Sequence, residues 1–332
     1  MTSRITSVLL LLSCLITHAQ TLKGKVLDAT TKKPLETVSV YFDNTTIGTT
    51  TSEMGEFSID YNDAVQSTLV ISFLGYEKVF ISDYRNSSDI KVELKASVNQ
   101  LDEVVIDTDD GMPRAQKLKW FRKEFLGKSE FGKSCKILNE NDLRFRYNKQ
   151  KRTLMAWSKK PVLVKNKSLQ YELSFDIVDC EIVIGNWNAE SVIYTGTSFY
   201  KDLNTRRKKK NFKNRLKAYK GSIQHFMRAL YHKQFEEEGY IFGKKGYKVN
   251  PYKFFTISEA NKNGIKTISL KKRLDIFYKD LSESVIQTTD SIQFSVDKYG
   301  NYAPIPVVLF GGFMGSQRIG DALPSDYGLT EN

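Results

Sequence analysis

The feature that most constrains this chain is a period-two alternation of apolar and polar residues from Leu22 to Leu94, interrupted at short intervals by turn-forming residues. Successive side chains of a strand point to opposite faces, so this alternation fits half-buried strands and not helices. Residues 22–28 alternate, 30–34 supply a turn, and 38–42 alternate again. Residues 48–51 and 56–59 flank Ser52-Glu53-Met54-Gly55, where Gly55 suits a hairpin position that needs positive φ. Runs at 69–74, 79–81 and 90–94 complete about seven strands, which predicts a compact β-sandwich.

Strand patterns continue through the rest of the chain at 143–147, 153–158, 171–184, 191–200, 254–258, 265–270, 285–289 and 292–297, most strongly at 171–184. About two helices are predicted among them. Pro113 suits the first turn of one, and Ala115, Leu118, Phe121, Phe125 and Leu126 follow at helical spacing until Gly127 stops it. Ser222 can cap the other, whose apolar stripe is Ile223, Phe226, Met227, Leu230, Tyr231 and Phe235, with Gly239 past its end.

At 332 residues and 40% apolar content, the chain can bury two substantial cores but is long for one. Charge separates the halves. Residues 20–107 hold 8 Lys or Arg against 14 Asp or Glu, a formal −6, whereas 111–332 hold 41 against 22, a formal +19. Residues 107–111 read as an acidic linker. The expected organisation is a leader at 1–19, a sandwich at 20–106, linker and helix at 107–127, and a basic β-rich domain at 128–332.

Arg4, the apolar run 8–16 and the small residues of Thr17-His18-Ala19 have the pattern of a secretory leader, with a mature start at Gln20. Leu11-Leu12-Ser13-Cys14 offers a lipoprotein site as the alternative. That run is too short to span a bilayer, which takes about 20 residues, and no later segment comes closer. The expectation is an exported protein of the periplasm or outer-membrane surface, with no transmembrane segment in the mature chain.

Gly24-Lys25-Val26-Leu27-Asp28, Pro34-Leu35-Glu36-Thr37-Val38, Gly48-Thr49-Thr50-Thr51, Gly55-Glu56-Phe57 and Ser72-Phe73-Leu74-Gly75-Tyr76 occur in order, and together they resemble the carboxypeptidase-like regulatory domain. The resemblance implies a prealbumin-like, Greek-key β-sandwich without catalytic machinery. Leu101-Asp102-Glu103-Val104-Val105-Ile106 is similar to the segment joining such a domain to the plug of TonB-dependent transporters. The residues after it are too few for a plug and a large barrel. Phe125-Leu126-Gly127, Cys135-Lys136-Ile137-Leu138-Asn139, Ala218-Tyr219-Lys220-Gly221-Ser222, His225-Phe226-Met227-Arg228-Ala229-Leu230 and Leu323-Pro324-Ser325-Asp326-Tyr327 resemble the body of uncharacterised exported proteins that share this N-terminal domain, which implies no known reaction. Expected partners are an envelope protein such as a TonB-dependent transporter assembly, or an anionic glycan or lipopolysaccharide.

Several motifs invite chemistry. Arg206, Arg207, Lys208, Lys209 and Lys210 form a run of cations that reads either as an anion-binding patch or as a solvated loop. Nucleic acid fits the charge, but export argues against it. Gly127-Lys128-Ser129-Glu130-Phe131-Gly132-Lys133-Ser134 satisfies the Walker A pattern, yet a predicted helix precedes it and extended chain follows, the reverse of a P-loop. No nucleotide or other cofactor is expected. His225, His232 and Glu236 could share a helix face around a metal, although a capping or surface role is the expectation. Cys135 and Cys180 can pair in an oxidising compartment or be two separately buried thiols. Gly311-Gly312-Phe313-Met314-Gly315 reads as a turn or loop. No catalytic motif stands out, so a non-enzymatic binding or docking module is the first reading. A hydrolase of peptide or polysaccharide, with a carboxylate pair among residues such as Asp176, Asp179 and Glu181, is the alternative.

Overall fold

In residues 56–61 and 89–94 every second side chain turns inward, whereas residues 40–42 and 69–71 are buried at successive positions. In β4 (Glu56–Tyr61), Phe57, Ile59 and Tyr61 are buried between exposed neighbours. The computed structural model describes residues 20–61, 67–86, 89–97, 110–244, 246–279, 282–289 and 292–329. The leader with Cys14, the stretch 101–106 and linker residues 107–109 lie outside the described residues. The chain divides into two units, Met1–Asp43 with Ile47–Asn99, and Asn44–Thr46 with Gln100–Asn332.

The first unit is a sandwich of two sheets. β1 (Gln20–Asp28), β4 and β7 (Asp89–Leu94) form one in the order β4-β1-β7. β2 (Ser39–Phe42), β3 (Gly48–Thr50), β5 (Leu69–Ser72) and β6 (Val79–Ile81) form the other in the order β3-β2-β5-β6. β1 and β7 run parallel, Lys23 opposite Asp89 and Asp28 opposite Leu94. Val26, Val40, Phe42, Leu69, Ile71 and Leu94 fill the core, and Phe42, Tyr61 and Tyr84 cluster with ring centroids 4.9, 5.3 and 5.4 Å apart. Gly55 takes φ +73°, as its turn requires.

Polar contacts tie the turns of this unit together. Backbone N–H groups of Thr30 and Thr31 donate to Asp28 Oδ1 at 2.8 and 2.6 Å, and Tyr76 Oη donates to Asp28 Oδ2 at 2.7 Å. These bonds, led by the one from Thr31, hold the Asp28 carboxyl down at about 2. Thr51 Oγ1 donates to the Leu35 carbonyl at 2.6 Å and accepts from Val38 N at 2.9 Å.

The second unit has two cores. β8 (Cys135–Ile137), β9 (Leu143–Asn148), β10 (Thr153–Ser158), β11 (Val162–Asn166), β12 (Tyr171–Ile184) and β13 (Ala189–Asp202) make a six-stranded sheet, β8-β11-β12-β10-β9 with β13 along β12. Helix α1 (Arg114–Phe121) continues into a π turn, Arg122–Leu126. Its Phe121 and Phe125 stack at 4.7 Å and meet Phe145 and Phe175 of the sheet. The predicted helix that Pro113 opens and Gly127 stops is thus part of this core. α2 (Glu130–Lys133) and α3 (Lys209–Tyr219) follow in the chain.

Around the second core, α4 (Ile223–His232) buries Phe226, Met227 and Leu230 with residues of two sheets. One contains β14 (Tyr240–Lys244), β15 (Tyr247–Lys248), β18 (Leu274–Tyr278), β19 (Ser282–Thr288) and β22 (Val308–Gly311). The other contains β16 (Phe255–Ile257), β17 (Ile265–Leu270), β20 (Gln293–Asp297) and β21 (Tyr302–Ala303). Five α-helices occur among the described residues, where about two are expected. α3 arises from the cationic stretch that reads as loop, and residues 312–316 form helix α5 (Gly312–Ser316), not a turn, because Met314 is buried there.

Candidate binding site

The five cations of the predicted patch come together at the start of α3. Arg206, Arg207 and Lys208 lead into it, Lys209 and Lys210 form its first turn, and all five are exposed. From Leu203 to Phe235 the sequence carries 11 Lys or Arg and no Asp or Glu. Within this stretch Arg215 pairs with Asp202, Lys217 with Glu130 and Lys220 with Glu238, while the five leading cations enter no ion pair among the described residues. Asn204 fixes the turn before the helix, its Oδ1 accepting from Lys208 N at 3.1 Å and Asn211 Nδ2 at 2.7 Å.

Arg215 anchors the inner side of α3. It is 1% exposed, lies over the Tyr171 ring at 3.8 Å, donates to the carbonyls of Leu169 and Gln170, and forms a bidentate pair with Asp202 at 2.7 and 2.9 Å. Burial raises the Asp202 carboxyl, but Arg215 and the N–H of Asn204 outweigh it and leave the group below its usual range.

His225 is buried at 1% exposure, which excludes the expected surface role but not the capping one. Nδ1 accepts from Gly221 N at 3.0 Å and faces Tyr240 Oη at 2.8 Å, while Nε2 meets Glu238 Oε2 at 2.7 Å. Lys220 Nζ donates to the same Glu238 oxygen at 2.7 Å. The metal arrangement is not assembled. α4 ends at His232, Lys233 adopts φ +57°, and Glu236 lies exposed beyond the helix. Sequence reasoning missed this cluster because Glu238 and Tyr240 lie past the helix end.

The other candidates are dispersed. Cys135 and Cys180 are free thiols. Cys135 pairs across β11 with Asn166 and thence Tyr171, and Cys180 lies farther along β12, on the order of 30 Å away at strand spacing, so this fold does not bridge them. Asp176 is buried, Asp179 and Glu181 are exposed, and their partners on β13 are Thr197, Thr195 and Ile193, so no acid faces them there. In the Walker-like segment, Ser129 caps α2 by accepting from Gly132 N at 2.9 Å. A side chain at Gly132 would sit 2.5 and 2.6 Å from the carbonyl oxygens of Leu126 and Gly127. Those oxygens repel phosphate, so the glycine serves close packing.

In the first unit, the recurring sequence pieces are the ones that Asp28, Tyr76, Thr51 and Leu35 tie into one hydrogen-bonded sandwich. Residues 22–106 match the CarboxypepD_reg-like domain family. No curated protein matches the chain. Among solved structures, a Bacteroides fragilis protein of unknown function, provisionally named membrane-associated, is similar at 13% identity over 84% of this chain and 93% of that one, with a TM-score of 0.19. A Bacteroides uniformis protein provisionally named carbohydrate-binding is similar at 8% identity over 88% and 98%, with a TM-score of 0.16. The CarboxypepD_reg-like domain covers the first unit.

Proposed function

We propose that the protein is an exported, non-enzymatic binding module of the cell envelope whose second unit holds an anionic envelope glycan, such as lipopolysaccharide, on α3. The observation that carries this reading is the unbroken positive charge of residues 203–235, with five exposed, unpaired cations gathered where α3 begins. A helix start already carries partial positive charge, so cations there repel it and one another until an anion compensates both. The CarboxypepD_reg-like domain supports a docking role on an envelope protein, for which a TonB-dependent transporter assembly is the proposed partner.

The test is immobilised lipopolysaccharide titrated with the protein at several salt concentrations. Binding should weaken steeply with salt, and the combined Lys208→Glu, Lys209→Glu and Lys210→Glu variant should lose more than tenfold in affinity and have a shallower salt slope. Wild-type affinity in that variant would remove α3 as the contact.

A further inference from the structure

A cavity of about 430 Å³ opens in the second unit between residues 123–129 and 313–321, within the size range of small-molecule sites. Its lining holds three cations, Lys123, Lys128 and Arg318, and two carboxyls, Glu124 and Asp321. Glu124 is 4% exposed, and its Oε1 accepts no hydrogen bond, with Lys123 and Lys128 Nζ at 3.7 and 3.6 Å. Arg318 Nη1 donates to the carbonyls of Gly315 and Gln317, whereas its buried Nε has no acceptor. Buried polar atoms without a hydrogen bond are uncommon in folded proteins. One cavity thus carries a buried carboxylate oxygen that is ion-paired but accepts no hydrogen bond, and a buried donor with no acceptor.

One aromatic ring lines the cavity, and another stands on the turn that its lysines reach. Phe313 lines the cavity and is 41% exposed. Lys128 Nζ reaches the turn between β12 and β13, donating to Asn188 Oδ1 at 2.9 Å, and Lys123 Nζ lies 3.5 Å from the Trp187 carbonyl. The Trp187 side chain at this turn is 86% exposed. A sugar ring presents an apolar C–H face that packs on aromatics and an edge of hydroxyls that both donate and accept. A carboxylate on the ring would answer the surplus of cations.

We propose that this cavity receives one uronic acid residue of an acidic glycan, its hydroxyls on Glu124, its carboxylate on Arg318 and Lys128, and its ring against Phe313 and Trp187. The site is separate from the α3 patch and stands or falls without it. Burial pushes the Asp321 carboxyl above its usual range, while its Oδ2 accepts from Arg318 N at 3.2 Å.

Glucuronic acid, glucose and acetate are titrated into the full chain and followed by tryptophan fluorescence and ligand-observed NMR. Glucuronic acid should saturate at millimolar concentration, glucose should bind at least fivefold more weakly, and acetate should not saturate. Phe313→Ala and Trp187→Ala remove exposed side chains and spare the fold, so each should weaken glucuronic acid about fivefold with an unchanged melting temperature. The triple α3 variant should bind it as the wild type does. Acetate binding as tightly as glucuronic acid, glucose matching it, wild-type affinity in both aromatic variants, or loss in the α3 variant would each overturn the proposal.

Discussion

The proton on His225 is placed by its neighbours. The Gly221 N–H can only donate, so Nδ1 must accept, and the single ring proton sits on Nε2 facing Glu238. A second proton would break the Gly221 bond. Burial lowers the His225 pKa, Glu238 raises it less, and Lys220 lowers it further. A depressed histidine contributes stability that is complete above its unfolded value of about 6.5 and is lost as pH falls toward the folded value. Glu238, held down to about 2 by Lys220 and His225, adds a second loss between 4.5 and 2. The urea midpoint should therefore fall between pH 7 and 5, and His225→Gln, which can still accept from Gly221 and donate to Glu238, should flatten that fall. An unchanged slope in the variant would show that the proton is taken up elsewhere.

At the level of elements, strands were legible where their period was long and helices where their stripe was apolar. The 14-residue β12 matches the alternation at 171–184 end for end. α3 was hidden because its buried side includes Arg215, a charge where the helical pattern calls for an apolar residue. Lysine and arginine are good helix formers, yet without a stripe their run reads as solvated loop. The helix holds its place through the bidentate pair with Asp202, so Arg215→Met should destabilise the second unit by about 3 kcal/mol in urea unfolding, less to the extent that the half-exposed Asp202 is rehydrated. The same substitution should weaken lipopolysaccharide binding only as far as it loosens α3. Strands β11 and β18 went unread, although other runs as short were legible.

Across the whole molecule, the sandwich was legible because its turn residues and alternation agree, and the cavity was not. Its walls, residues 123–129 and 313–321, lie almost the full length of the second unit apart in sequence, and neither stretch contains a motif that names the other. The thiols fared likewise, since only the strand order shows how far Cys135 is from Cys180. The parallel pairing of β1 with β7 has a mechanical consequence. The first and last strands of the sandwich lie side by side in the same direction, so the chain enters at one end of the pair and leaves at the other. A load pulling residues 20 and 97 apart meets their hydrogen bonds in shear, all at once, and cannot peel them singly. Force spectroscopy across those two points should record one high rupture event, well above that of the antiparallel β1–β4 pair pulled from adjacent ends, and a low, stepwise trace would refute the clamp. Tension applied across residues 20 and 97 would thus be borne by the β1–β7 pair as one unit.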